Sequence, residues 1–125
     1  MKILFATAGP VTAQENADYV VTITKRLGAE LIVLHVVHEK DEDDKGDKAL
    51  RILFERGKKA RVQVTGVLQT GDIISQIIKV AELESVAIIM MGASKENNTN
   101  QWLSSDTKKR TKVPVLVIPD GRSPE

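Results

Sequence analysis

Two histidines are the first residues in this sequence whose type and spacing could bind a metal ion. His35 and His38 stand three positions apart in the run LIVLHVVH. On a strand, residues three apart point to opposite faces, so this pair cannot hold one ion there. The sequence also contains no cysteine, the ligand that would strengthen such a pair. The spacing therefore predicts no zinc site.

An acidic run comes next and resembles the start of a calcium-binding loop. Residues Asp41–Gly46 (DEDDKG) place acids at the first and third positions and glycine at the sixth. The fifth position is Lys45 and the twelfth is Ile52, so one ligand and the closing bidentate carboxylate are missing. The whole run Glu39–Asp47 instead predicts a mobile, solvated loop or a contact with another protein.

Sequence signatures of catalysis are missing from the chain. It has no G-x-S-x-G turn, no G-x-G-x-x-G turn, no P-loop Gly-Lys-Ser/Thr and no cysteine nucleophile. Isolated serines and histidines do not make a catalytic set. The sequence predicts a protein that is not an enzyme, and leaves only weak hydrolysis of ATP open.

The balance of charge argues against nucleic acid as a partner. Eighteen Lys and Arg face seventeen Asp and Glu, which leaves a net charge of +1. The basic clusters Lys58–Arg61 and Lys108–Lys112 fall near expected helix ends, where cations offset the helix dipole. With one Trp, one Tyr and two Phe, few side chains could stack on bases.

No segment has the length of a membrane span. The apolar run over residues 86–94 has nine uncharged positions before Lys95, far fewer than the roughly twenty residues that a spanning helix needs. The opening MKILFATAGP lacks the features of a secretory signal, and the lack of cysteine fits a reducing compartment. We therefore expect a cytoplasmic protein without a membrane partner.

The elements that must position any site alternate regularly along the chain. Stretches with helical spacing separate runs of strand length, which gives the order β-α-β-α-β-α-β-α-β. Runs such as Leu31–Leu34 are apolar on both faces, as in a parallel sheet covered by helices on each side. We expect one domain over residues 1–119 and a flexible tail over 120–125. The predicted strands are Lys2–Thr7, Glu30–Val37, Ala60–Leu68, Val86–Met91 and Val113–Pro119.

Local signals place the ends of the helices. Thr12, with Glu15 three residues later, predicts a capping box at the start of the first helix, whose inner stripe includes Leu27. Gly57 predicts the end of the second helix, and Asp72 predicts the cap of the third. The fourth helix is expected over residues 100–111.

Open parallel sheets bind ligands beyond the carboxyl ends of their strands, where the strand order reverses. Here the relevant loops follow the first and fourth strands. Their hydroxyl groups could bind phosphate, although the same residues also serve as helix caps and turns, which is the interpretation we favour. The candidate ligand-binding residues are Ala8, Gly9, Val36, Gly92, Ala93, Ser94, Lys95, Ser104 and Ser105.

Four segments, in this order and spacing, carry a family resemblance: KILFATAG, LIVLHVV, IIMMGAS and VPVLVIP. Together they resemble the universal stress protein family across nearly the whole chain. The resemblance implies an α/β three-layer sandwich of the adenine-nucleotide α-hydrolase-like type, with a five-stranded parallel sheet in the order 3-2-1-4-5 and helices on both faces. It also implies a cytoplasmic stress-response or regulatory role and dimers that pair through the last strand.

Many members of that family bind ATP through the pattern Gly-x2-Gly-x9-Gly followed by Ser or Thr. Gly92 matches the first glycine, but Lys95, Ser105 and Asp106 occupy the other three positions. ATP-binding members also carry an aspartate that contacts adenine, and Ala8 stands at the matching position. The resemblance therefore implies a member without a cofactor that does not bind ATP in the family manner. The alternative is a sensor of ATP or AMP with a divergent phosphate loop.

The last predicted strand offers a surface for a partner. It is apolar, closes the order of elements and lies between Pro114 and Pro119, which suits the edge of a sheet. We expect a homodimer, and a role that combines dimerisation with binding of an unidentified protein or small molecule. The alternative is a monomer whose edge is short enough to stay unpaired. The expected dimer edge is Val115, Leu116, Val117 and Ile118.

Overall fold

In a computed structural model of the chain, residues 1–37, 43–92 and 99–118 are described. Strands and helices alternate through these residues in the predicted order. The elements are β1 (Lys2–Thr7), α1 (Pro10–Arg26), β2 (Glu30–Val37), α2 (Asp43–Ala60), β3 (Val64–Thr70), α3 (Ile73–Leu83), β4 (Ile88–Gly92), α4 (Thr99–Arg110) and β5 (Val115–Ile118).

The five strands form one parallel sheet in the order β3-β2-β1-β4-β5, which confirms the expected fold class. β1 lies at the centre, with Thr7 opposite His35 of β2 and Ala6 opposite Met91 of β4. From β1 the chain first builds outward through β2 and β3, and then returns to add β4 and β5 on the other side. The order of strands therefore reverses between β1 and β4, where a ligand site is expected.

Side chains of the strands alternate between two buried layers, because successive residues of a strand point to opposite faces. Ile3 and Phe5 of β1 pack with α1 and α2, while Leu4 packs with the α3 side of the sheet. Leu31 to Leu34 of β2 are all buried, which explains the unbroken apolar run in the sequence. The result is the three-layer sandwich that was expected.

The start of α1 differs from the prediction. The helix begins at Pro10, with Gly9 as the residue before it and no side-chain cap. Proline suits this position because its fixed φ is helical and its missing N–H would be unpaired anyway. The capping box at Thr12 and Glu15 was therefore wrong, since both residues lie inside the helix. Leu27, placed on the inner stripe, is instead an exposed residue that follows the helix.

The boundaries of α2 also differ. Residues 43–47 of the predicted acidic loop are helical, and residues 39–42 lie outside the described part of the chain. Carboxylates in the first turn, such as Asp44, offset the partial positive charge of a helix N-terminus. At the other end α2 continues through Gly57 to Ala60, because Gly57 packs directly on Val64, where a Cβ atom would overlap the valine side chain. As a result, β3 starts at Val64 rather than Ala60.

The other predicted helix signals agree more closely with the structure. Asp72 caps α3 by accepting a hydrogen bond from the backbone N–H of Ser75 (2.9 Å). Helix α4 falls within one residue of its predicted bounds at each end. None of the helices in the described ranges combines the length and the apolar character needed to cross a bilayer.

Candidate functional site

The carboxyl ends of β1 and β4 meet at the point where the strand order reverses. Gly92 is the last residue of β4, and Ala8 and Gly9 follow β1 directly. Val36 lies one residue beyond the His35 to Thr7 pair, so it stands beside the place where the chain leaves β1. Ala8 is exposed, whereas Gly9, Val36 and Gly92 are buried. The structure therefore brings these four predicted residues together at the carboxyl-terminal end of the sheet.

Five predicted site residues remain, and the structure describes two of them. Ala93, Ser94 and Lys95 lie outside the described residues. Ser104 and Ser105 both belong to α4, and Ser105 is exposed.

A chain of buried hydrogen bonds fixes the loop after β1. The Thr7 hydroxyl donates to the carbonyl oxygen of Gly9 (3.0 Å) and accepts from its N–H (3.2 Å). His35 Nδ1 lies 3.1 Å from the carbonyl oxygen of Thr7. Because a carbonyl oxygen only accepts, Nδ1 must carry the hydrogen. The chain of bonds links β2 through the end of β1 to Gly9, the residue before α1.

This role of His35 was missed in the sequence, where the residue was considered only as a metal ligand. Its side chain is 2% exposed, and a Cβ atom at Gly46 of α2 would lie 2.7 Å from its Cδ2. Its Nε2 atom is buried and has no hydrogen-bond partner among the residues that the structure describes. Among the described residues, no three His, Asp or Glu side chains are grouped to hold a metal ion. His38, Asp41 and Glu42 lie outside the described residues.

The first turn of α1 lies at the same carboxyl-terminal end of the sheet. Gly9 has a φ of 147°, a conformation that favours glycine, and its carbonyl oxygen accepts from Ala13 (2.9 Å). The first turn contains no acidic residue, so no carboxylate within the turn offsets its partial positive charge. Pro10 has no N–H, which leaves one donor fewer for an anion at this helix end.

Gly92 has a structural reason to be glycine that does not depend on a ligand. A Cβ atom at this position would overlap Nδ2 of Asn16 and lie 3.1 Å from Cγ2 of Thr12, both on α1. Asn16 cannot easily move, since it is 4% exposed and donates a hydrogen bond to the carbonyl oxygen of Thr12 (2.8 Å). The face of Gly92 toward α1 is therefore filled by protein atoms.

Replacing Thr7 with valine tests the hydrogen bonds that hold this loop. The variant should lose about 1–2 kcal/mol of stability, because the buried N–H of Gly9 loses its partner. The amide hydrogen of Gly9 should also exchange at least about tenfold faster, measured by NMR. The control is Thr7→Ser, which keeps the hydroxyl and should leave the exchange of Gly9 nearly unchanged. Equal exchange rates in both variants would contradict this role.

Comparisons with known proteins agree with the fold described above. No curated protein sequence matches this chain significantly. Among solved structures, a universal stress protein family member from Burkholderia pseudomallei matches with a TM-score of 0.78 at 20% identity, covering 94% of this chain and 95% of that chain. A universal stress protein from Archaeoglobus fulgidus, solved in complex with dAMP, matches with a TM-score of 0.77 at 14% identity, covering 95% and 98%.

A family member from Arabidopsis thaliana with AMP bound gives a TM-score of 0.70 at 16% identity, covering 94% of this chain and 90% of that chain. These likenesses show the same fold, with a five-stranded parallel sheet in the order β3-β2-β1-β4-β5. The sequence model of the universal stress protein family matches residues 1–119, which contain every strand and helix described above. The chain therefore belongs to the universal stress protein family.

Proposed function

We propose that this protein is a cytoplasmic, non-enzymatic stress-response domain. It binds a small ligand or a protein partner at the carboxyl-terminal end of the sheet, where β1 and β4 end. We further propose that residues 1–119 act as one unit with 120–125 as a tail, that β5 pairs two copies, and that ATP is not bound in the family manner. The family match supports the stress-response role.

One observation carries the proposal about ATP. Ser105 and Asp106, which stand where the family motif has its third glycine and its hydroxyl residue, lie inside α4, well after its start at Thr99. Backbone N–H groups beyond the first turn of a helix are bonded to carbonyl groups four residues earlier. They are unavailable to a phosphate group. The carboxylate of Asp106 would also repel one.

Calorimetric titration with ATP and with AMP tests this proposal. We expect no binding of ATP tighter than about 1 mM, which corresponds to only about 4 kcal/mol. Micromolar affinity for ATP would overturn the proposal. Micromolar affinity for AMP alone would favour the second candidate, a nucleotide sensor with a divergent loop, since related proteins have been solved with AMP and dAMP. Mass spectrometry of small molecules released on denaturation would identify any other ligand.

Restoring the missing carboxylate provides a gain-of-binding test. Ala8 is exposed, so Ala8→Asp should fold normally. If an adenine ring can still bind at this end of the sheet, the new carboxylate should form a charge-assisted hydrogen bond with it, of about 1.5–3 kcal/mol. The affinity for adenosine should then rise by roughly 10- to 100-fold. The matched control is Ala8→Asn, a neutral side chain of the same shape, for which we expect a smaller gain. If Ala8→Asp does not raise the affinity for adenosine, this end of the sheet does not accommodate adenine.

A further inference from the structure

The outer edge of β3 is unpaired in the part of the chain that the structure describes, because β3 ends the sheet. The carbonyl oxygen of Gln63 accepts from Leu31 of β2 (2.9 Å), and the N–H of Gly71 donates to Val37 of β2 (3.4 Å). The N–H and C=O of one residue in a parallel strand point the same way, so the odd-numbered residues face β2. The outward residues are Val64, Gly66, Leu68 and Thr70, each with one donor and one acceptor.

This edge lacks the features that usually protect a sheet edge from pairing. Natural edges are short, charged, interrupted by proline or covered. The seven residues of β3 read VTGVLQT, without a charge or a proline, and none of them is fully buried. In contrast, β5 has four residues and follows Pro114. β3 is therefore the longer and less protected of the two edges.

An apolar surface borders the edge on the α2 side. Leu68 is 43% exposed and Phe54 is 42% exposed. The Phe54 ring lies over Gly66, where a Cβ atom would be 2.8 Å from its Cζ, and Leu68 lies against Gly46 in the same way. We call the outward backbone of β3, together with Phe54 and Leu68, the β3 edge surface. An added strand would bury apolar side chains there as well as forming backbone hydrogen bonds.

The charges around the β3 edge surface are mostly positive. Arg51 and Lys58 lie three residues before and four residues after Phe54 on α2, so they share its side of the helix. Arg61 follows α2 directly, and all three side chains are exposed. None of them takes part in the ion pairs found among the described residues. Two exposed carboxylates also lie here: Asp47 is a turn before Arg51, and Glu55 is four residues after Arg51 and three before Lys58. Three cations therefore outnumber two anions along this side.

We infer that the β3 edge surface binds an extended segment of another protein that carries both apolar and acidic side chains and adds to the sheet as a sixth strand. The apolar residues would cover Phe54 and Leu68, and the acidic ones would face Arg51, Lys58 and Arg61. A second copy of this chain fits less well, because both copies would present a surface of net positive charge. Pairing through β5 would leave the β3 edge surface open in both copies.

The packing of α2 on β3 also predicts where the acidic residues lie. Gly57 contacts Val64, and Gly46 contacts Leu68, so α2 runs opposite to β3. Lys58 and Arg61 are consequently near the Val64 end of the edge, and Asp47 is near the other end. We expect the acidic residues of the bound segment beside Val64 and its apolar residues beside Leu68.

Binding of labelled synthetic peptides, followed by fluorescence anisotropy, tests the inference. The probes are Glu-Glu-Thr-Val-Thr-Val-Thr and its reversed sequence, which cover parallel and antiparallel pairing, and matched peptides with Lys in place of Glu. We expect one acidic probe to bind at least about tenfold more tightly than its lysine counterpart, and N-methylation of alternate backbone amides to abolish this binding.

Charge reversal on α2 provides the matched variants, which should fold because every altered side chain is exposed. Arg51→Glu with Lys58→Glu should reverse the preference between the acidic and lysine probes. Lys45→Glu with Lys59→Glu makes the same change in charge away from Phe54, and should leave the tenfold preference intact. Equal binding of both kinds of probe, or no binding at about 1 mM, would overturn the inference. Self-association of the Arg51→Glu, Lys58→Glu variant would also overturn it, since the cations would then serve to keep copies apart.

Discussion

Replacing Gly92 with alanine should lower the free energy of unfolding by about 2 kcal/mol, although the change adds a single methyl group. The new Cβ atom would overlap Nδ2 of Asn16 and crowd Thr12. Both neighbours are buried on α1, so the helix must shift away from β4 or the hydrogen bond from Asn16 to Thr12 must break. Urea denaturation followed by circular dichroism measures the loss.

A double-mutant cycle separates this close contact from a general intolerance of alanine. Asn16→Ala alone should cost about 1 kcal/mol, and combining it with Gly92→Ala should cost less than the sum of the two by at least about 1 kcal/mol. The control is Gly66→Ala on β3, where the nearest neighbour is the end of the exposed Phe54 ring, which can turn away. Additive effects, or an equal loss from Gly66→Ala, would rule out the packing of α1 on Gly92 as the cause.

Replacing Val117 with proline should convert the proposed dimer into a monomer without unfolding the chain. The carbonyl oxygen of Pro114 accepts from Ile89 of β4 (2.9 Å), so the even-numbered residues of β5 face β4 and Val117 faces outward. Proline there removes an outward donor, and its ring is tolerated on an edge strand. Light scattering should show the mass of one chain at micromolar concentration, with an unchanged circular dichroism spectrum.

Two controls accompany this experiment. Val117→Thr keeps the backbone donor and the branched shape, so it should remain a dimer. Leu68→Pro removes an outward donor from the opposite edge and should also remain a dimer. A wild-type chain that is already a monomer, or a dimer that survives Val117→Pro, would contradict pairing through β5.

The order of elements could be predicted from the sequence because burial on two faces leaves a pattern that is hard to misinterpret. Leu31–Leu34 is apolar throughout, and the stripe that includes Ile74 and Ile77 has helical spacing and is buried. The boundary between α2 and β3 could not be predicted in the same way. Gly57 usually indicates the end of a helix, and its place inside α2 depends on contact with Val64 of another element.

In the candidate site, too, the sequence predicts features that depend on neighbouring residues but not those that depend on contacts between distant elements. Gly92 was identified from a motif, but the residues that require it, Thr12 and Asn16, are distant in sequence and on another element. The bond from His35 to Thr7 depends on the register of two strands, which the sequence does not state. One signal was available: both residues are polar near the ends of otherwise apolar strands.

The central position of β1 has a consequence for how the chain is made. Its first neighbour, β2, is synthesised soon after it, but β4 begins only at Ile88. Residues 1–70 can form three strands covered by α1 and α2, while the opposite face, with Leu4 and Leu34, waits for α3. We therefore expect this half, during translation, to present a bare apolar layer and an open central strand, the kind of surface that chaperones bind.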